Sequence, residues 1–329
     1  MGELVDRFGR VISKLRISVT DRCNFRCSYC TPEAGMTWMQ KENLLTYEEI
    51  ERLVRVFVSL GVRNVRLTGG EPLMRKDLSK LVHMLRRVPL VDDIAMTTNG
   101  YFLKEQLRDL VTAGLGRINV SLDALDPSIF SNVVRRGFSA KTWEGIEEAE
   151  RLGIHPIKLN VVLIRGVNES EILRFARLAQ TRQFIVRFIE FMPIGKDDGW
   201  TRDKVVPTSE VLQRIQEYAA LVPIPKNGQH VPEQRYAFED GKGELGCISS
   251  VSEPFCRDCN RVRLTSDGRL RTCLFSLYET DLCPLLRAGA TDEDVANAIT
   301  TAVWNKEEGH LINQPGFTRP HRTMSQIGG

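Results

Sequence analysis

Six times in its first 220 residues the chain pairs a short β-branched segment with an amphipathic one, and this repeat restricts the fold more than any other feature. K-L-R-I-S-V-T (14–20), N-V-R-L-T-G-G, D-I-A-M-T-T-N-G, R-I-N-V-S-L-D-A, P-I-K-L-N-V-V-L-I and Q-F-I-V-R-F-I-E-F-M-P read as strands. Helices are expected over 46–61 and near 77–88, 103–114, 141–153, 168–180 and 208–219. Thr46 and Glu49 form a capping-box pattern for the first helix, and Gly61 marks its end. Such an alternation implies a parallel sheet with right-handed crossovers, its strands apolar enough to be covered on both faces. Every strand ends in a polar signature: T-D-R-C, T-G-G-E-P, T-T-N-G, S-L-D-A, N-V-V and F-M-P. A doubly wound sheet concentrates its site at one switch point, whereas a barrel draws its site from many strand ends. The expected fold is therefore α/β, an incomplete (β/α)6 TIM-like barrel.

After residue 220 the period breaks. V-P-I-P-K-N-G-Q-H-V-P-E-Q-R-Y-A-F-E-D-G-K-G-E reads as a linker or irregular crossing, followed by a loop-rich region and a helix near 292–304. Two domains are expected, 1–220 and 221–329. The net charge of +3 is too small to argue for nucleic acid or a membrane as bulk partner. No apolar run approaches the roughly 18 residues of a membrane span. The N-terminus shows no secretory h-region, and Asp6 stands where N-myristoylation needs Ser or Thr. A cytoplasmic protein is expected.

Eight cysteines in such a chain point to metal or redox chemistry rather than disulfides. Cys23, Cys27 and Cys30 form C-x3-C-x2-C after the first strand, with His83, His155, His230, His310 and His321 all far away in sequence. Structural zinc prefers two ligand pairs. A cubane iron–sulfur cluster has four irons, so three cysteines leave one iron open. Cys256, Cys259 and Cys273 form a second triplet, C-x2-C-x13-C. There the spacing leaves zinc and iron–sulfur equally open, since Cys283 could supply a fourth zinc ligand.

C-x3-C-x2-C on the loop after a first barrel strand, with Tyr29 before the last cysteine, resembles the radical S-adenosylmethionine family. The resemblance implies a [4Fe–4S] cluster whose open iron is chelated by S-adenosylmethionine. Reduction and homolysis would then yield a 5′-deoxyadenosyl radical. T-G-G-E-P (68–72), a plain turn by itself, would meet the amino group of that cofactor through Gly70. Tyr29, Ser121 and Met192 match further cofactor contacts; alone, Ser121 would be a capping serine and Met192 a core methionine.

F-C-R-D-C-N-R-V-R-L-T-S-D-G-R-L-R-T-C-L-F (255–275) resembles the C-terminal domain of the GTP 3′,8-cyclase family of molybdenum cofactor biosynthesis. L-R-I-S-V-T-D-R-C-N-F-R-C, R-L-T-G-G-E-P-L-M-R, R-F-I-E-F-M-P and the final I-G-G extend the likeness over nearly the whole chain. It implies a second [4Fe–4S] cluster at Cys256, Cys259 and Cys273, its open iron facing guanine. GTP contacts would come from Arg16, Arg66, Thr97, Lys158, Arg261, Arg263 and the backbone of Val262. Arg261, Arg263, Gly328 and Gly329 would serve catalysis, the two glycines reaching into the site. Hydrogen would be taken from C3′ of GTP, and C3′ would attack C8. The product, (8S)-3′,8-cyclo-7,8-dihydroguanosine 5′-triphosphate, would pass to cyclic pyranopterin monophosphate synthase, and a flavodoxin- or ferredoxin-type donor would supply electrons. A homodimer is compatible with the sequence and not fixed by it.

Cations at a barrel mouth suit an anionic ligand. The alternative is ion pairing with Glu71, Asp123 or Glu190, which is preferred for Arg187. Asn64 and Thr31 depart from the family pattern, and Cys247 and Cys283 are expected to be ordinary buried thiols. Two functions compete: a peptide-modifying radical enzyme with an auxiliary cluster, against which the Arg261/Arg263 pair and the terminal Gly-Gly argue, and a non-enzymatic zinc or electron-carrier protein.

Overall fold

The computed structural model describes residues 2–32, 36–182, 184–195, 199–226 and 231–328. Six parallel strands follow one another in space as they do in sequence: β1 (Lys14–Ser18), β2 (Asn64–Thr68), β3 (Asp93–Thr98), β4 (Arg117–Ser121), β5 (Ile157–Leu163) and β6 (Phe184–Glu190). An order with no reversal winds the sheet one way, as in a barrel, rather than out from a switch point. The barrel is incomplete because β1 and β6 pair with strands from the C-terminal part instead of with each other.

Helices α1 (Tyr47–Ser59), α2 (Leu78–Arg86), α3 (Leu103–Thr112), α4 (Pro127–Val134), α5 (Ser139–Arg151) and α6 (Ile172–Thr181) connect these strands, and α7 (Thr208–Gln216) follows β6. The Thr46/Glu49 capping box is formed, and Gly61 stands at φ +99° just past α1. Ile50, Leu53, Val54 and Phe57 of α1 are buried, as are Leu15, Ile17, Val65, Leu67, Ile118, Val120, Leu159 and Val161 of the strands. The opposite strand face is not apolar. Arg16, Arg66, Thr97, Asn119, Asn160 and Arg187 alternate with the core residues, so the expectation of two apolar faces is corrected: one face packs on helices and the other lines a polar interior. α4 carries no signal strong enough to stand out in the sequence; Asp126 caps it through the backbone amides of Ser128 and Ile129.

Part of the stretch read as a linker is sheet. β7 (Leu221–Ile224) and β8 (Gln234–Phe238) form an antiparallel pair, and β8 pairs with β9 (Glu244–Ile248), which runs parallel to β6. At the other edge β10 (Arg261–Leu264) runs parallel to β1, followed by β11 (Arg269–Arg271) and β12 (Thr280–Asp281). The Pro- and Gly-rich composition hid a hairpin whose pairing is supplied by the barrel edge. One twelve-stranded sheet thus runs across residue 220. α8 (Cys283–Arg287), α9 (Asp292–Trp304) and α10 (Met324–Ile327) complete the chain. No described helix is long and apolar enough to cross a membrane.

Candidate active site

A cavity of about 280 Å³ is lined by Cys23, Cys27, Cys30, Cys256, Cys259 and Cys273 together. Tyr29, Gly70, Ser121, Met192, Arg16, Thr97, Arg261 and Arg263 share its walls. Residues more than 220 positions apart in sequence converge because β10 is zipped onto β1, the strand that delivers the first cysteine loop.

The loop carrying Cys23, Cys27 and Cys30 is anchored by Phe25. Its ring is 2% exposed, edge-on to Tyr101 and Phe130 with centroids at 5.9 Å in both pairs. The backbone amides of Arg26 and Ser28 donate to Val134 and Val133 of α4, and the amides of Cys30 and Thr31 donate to Cys27 O in a tight turn. Asn99 Nδ2 lies 3.8 Å from Cys23 Sγ. Gly69 and Gly70 are required by packing here. A Cβ at Gly70 would stand 2.4 Å from Arg22 O, and one at Gly69 would stand 2.4 Å from Thr20 O. The G-G pair therefore lets the second strand end press against the cysteine loop, and Gly70 still faces the cavity.

All eight cysteines are free. Burial pushes Cys23 up to about 12 and Cys30 up to about 11, and it also raises Cys27 well above the ordinary thiol value. These thiols become good donors only when a metal replaces their protons. Burial also works on Cys259, but Arg261 foremost, then Lys306, overrides it and holds that thiol down to about 7. Among the described residues, no three His, Cys, Asp or Glu side chains close on a single ion. The soft thiol set around one cavity fits iron–sulfur ligation by its chemistry. Cys247 is buried on β9 as expected; Cys283 is only half-buried, at the start of α8 against Gly268, and lines neither this cavity nor the adjoining one.

Arg263, Arg16 and Arg66 stand in register across β10, β1 and β2. Like charges directly opposite one another destabilise a sheet, so this row calls for an anion. Burial, then neighbouring guanidiniums, holds Arg263 down to about 9, Arg66 to about 10 and Arg16 well below the usual arginine range. Arg66 Nη1 lies 3.4 Å from Thr97 Oγ1. Arg261 stacks over Phe255 at 5.1 Å. Val262 is fully buried in the core, which leaves only its backbone for a ligand. Lys14, Asn64, Arg66 and Lys158 line an adjoining cavity of about 110 Å³ that shares Arg16, Arg187 and Arg261 with the first.

The ion pairing expected with Glu71, Asp123 or Glu190 falls elsewhere. Lys158 Nζ binds Glu233 Oε1 at 2.7 Å, and Arg187 Nη1 binds Glu233 Oε2 at 2.9 Å. Glu71 instead accepts from Thr98 Oγ1 and the amides of Leu73 and Asn99. Asp123 accepts from Tyr29 OH at 2.7 Å and from Val162 N, and Glu190 accepts from the amides of Thr208, Val251 and Ser252. Glu233 has no local signal, because it lies in the segment that reads as linker. Asn160, which accepts twice from Arg187, is likewise indistinguishable in sequence from any strand asparagine.

The C-terminal tail reaches the cavity rim. Gly328 O accepts from Arg263 Nη1 at 2.6 Å, and Gly328 lies at φ +82° where a Cβ would come within 3.0 Å of Ser18 and Thr68 side-chain carbons. Gly329 and His230 lie outside the described residues.

Comparison with known proteins adds to this geometry. Residues 17–179 match the Radical SAM superfamily model, and residues 184–312 match the Molybdenum Cofactor Synthesis C model. The chain is 42% identical to the GTP 3′,8-cyclase of Syntrophomonas wolfei, covering 99% of this chain and 100% of that protein. It is 45% identical to the GTP 3′,8-cyclase of Pelotomaculum thermopropionicum, covering 98% and 99%. Among solved structures, Streptococcus suis SuiB bound to S-adenosylmethionine aligns at TM-score 0.61 over 94% of this chain and 77% of that one; at 14% identity this is a likeness of fold.

Proposed function

The chain belongs to the GTP 3′,8-cyclase family of radical S-adenosylmethionine enzymes, and from that premise we propose how its own residues carry the reaction. The reaction cyclises GTP to (8S)-3′,8-cyclo-7,8-dihydroguanosine 5′-triphosphate, the first step of molybdenum cofactor biosynthesis. Cys23, Cys27 and Cys30 would hold a [4Fe–4S] cluster, which with S-adenosylmethionine supplies the one-electron chemistry that removes hydrogen from C3′ of GTP. Tyr29, Gly70, Ser121 and Met192 hold that cofactor against the loop. Cys256, Cys259 and Cys273 carry a second [4Fe–4S] cluster, in a division of the chain into 1–220 and 221–329.

GTP lies between the two triplets. Arg16, Arg66, Lys158, Arg261 and Arg263 take the triphosphate and the developing charge, Thr97 and the Val262 backbone add hydrogen bonds, and Gly328 closes the rim on Arg263. The in-register Arg263–Arg16–Arg66 row supports the anion assignment, because a bound anion relieves its mutual repulsion. Holding C3′ near C8 in a cavity that excludes water is the chain's largest contribution to rate. Eight free thiols suit a reducing cytoplasm. A flavodoxin- or ferredoxin-type donor, cyclic pyranopterin monophosphate synthase downstream and a homodimeric assembly complete the proposal.

The observation that carries it is the convergence of both cysteine triplets on one arginine-lined cavity. The test is anaerobic incubation with GTP, S-adenosylmethionine and dithionite. Cyclised nucleotide formed in step with 5′-deoxyadenosine is expected; 5′-deoxyadenosine without cyclised nucleotide would overturn the substrate assignment.

A further inference from the structure

Lys306 is 1% exposed, just beyond the C-terminal end of α9. Its Nζ donates to the carbonyls of Thr272 and, at 3.3 Å, Arg261. Those carbonyls belong to the residue before Cys273 and the second residue after Cys259. One ammonium thus ties together the two segments that carry two of the three C-terminal cysteines.

Its charge is not neutralised in the way the neighbouring Arg10 is. Arg10 also clamps this region, donating to the carbonyls of Cys256, Glu307 and Glu308, but its Nε is paired with Asp6 at 2.5 Å. Among the described residues no carboxylate stands within 4.0 Å of Lys306 Nζ. The adjacent Glu307 carboxylate turns to the Thr272 hydroxyl instead. Two carbonyl dipoles and the end of α9 offer only partial negative charge. A buried ammonium without a full counter-charge is costly.

The structure assigns Lys306 as the buried counter-cation of the second cysteine triplet, a positioning residue that ties the Cys259 and Cys273 segments together and raises the reduction potential of the cluster they hold. This rests on the second-cluster proposal. A fixed positive charge beside a cluster favours the reduced, more negative state, so its removal makes reduction harder.

The test uses the full chain with Cys23, Cys27 and Cys30 changed to Ser, so that only the second site can hold iron. Iron and sulfide content and the midpoint potential from an EPR-monitored titration are measured for this parent and for added K306M and K306R. K306M is expected to disfavour reduction about tenfold, a shift of about 59 mV to more negative potential for one electron. K306R, which keeps the charge, is expected to stay near the parent. If K306M loses its iron while K306R keeps it, the counter-charge role is upheld in a stronger form. An iron-loaded K306M at the parent's potential overturns this inference alone, as do K306M and K306R changing equally. A parent without iron overturns the second-cluster proposal, and this inference with it.

Discussion

Replacing Phe25 by Ala should loosen the first cysteine loop selectively. The ring is 2% exposed and packs edge-on against Tyr101 and Phe130 at 5.9 Å, and its edge fills the space beside Gly137, where a Cβ would stand 2.2 Å away. Removing such a ring costs about 3–5 kcal/mol, in lost burial and in the cavity left behind. Phe25 lies between Cys23 and Cys27, so a local opening of this loop should bear much of that cost. The opening equilibrium would then rise roughly 150- to 5,000-fold. In the full chain with Cys256, Cys259 and Cys273 changed to Ser, only the first site holds iron, and chelator-driven iron loss reports the opening. We expect F25A to release iron faster by two to three orders of magnitude, and F25L to stay within about tenfold of the parent because it nearly conserves volume. F25A that melts at lower temperature yet releases iron at the parent's rate would refute the reasoning: Phe25 would then be general core, not the anchor of the loop.

Other consequences are as direct. G328A must pay about 1–2 kcal/mol for a left-handed backbone, besides its 3.0 Å contacts, so cyclised product should fall roughly 5- to 30-fold while 5′-deoxyadenosine still forms; unchanged coupling would remove the tail from the mechanism. E233Q frees Lys158 and Arg187 from a competing carboxylate, and calorimetry should show GTP binding roughly tenfold tighter; weaker binding would mean Glu233 organises the site. Burial opposes the ionised Glu233, but Arg187 and Lys158 prevail and hold its carboxyl down to about 2, below the ordinary value of 4.5. A depressed carboxyl contributes stability above its unfolded pKa and loses it as pH falls toward the folded one. The parent-minus-E233Q difference in urea melts should therefore be constant from pH 8 to 5 and shrink only below about pH 4.5; fading between pH 7 and 5 would contradict the pairing. C283S should keep the full iron content, whereas loss of metal from the C-terminal site would restore the four-cysteine zinc alternative.

The barrel was legible because each β-α unit is locally consistent: a β-branched strand is followed by an amphipathic helix each time, and α1 adds a capping box. The first cysteine triplet was legible because it lies within one loop; the second, split by β10 and β11, was legible through its sequence resemblance. The hairpin β7–β8 was not, since Pro223 and the Gly- and charge-rich neighbours suppress strand propensity, and only the edge offered by β6 and β9 makes them strands. Interior polarity was half legible. Arg16, Arg66 and Lys158 stand out as cations on strands, but the register of Arg16 and Arg66 with Arg263, and the pairing of Lys158 with Glu233, exist only once the C-terminal strands join the sheet edges. Lys306 has no sequence signal, because an isolated lysine after a helix is ordinarily a solvated C-terminal charge.

The proposed mechanism requires each triplet to hold a four-iron cluster beside one substrate cavity. Iron and acid-labile sulfide counted on anaerobically purified chain, and on the two triple Cys→Ser variants, test it most directly. About eight irons and eight sulfides are expected in the parent and about four of each in either variant. A parent with about four irons, together with one zinc that persists when Cys23, Cys27 and Cys30 are removed, would contradict it.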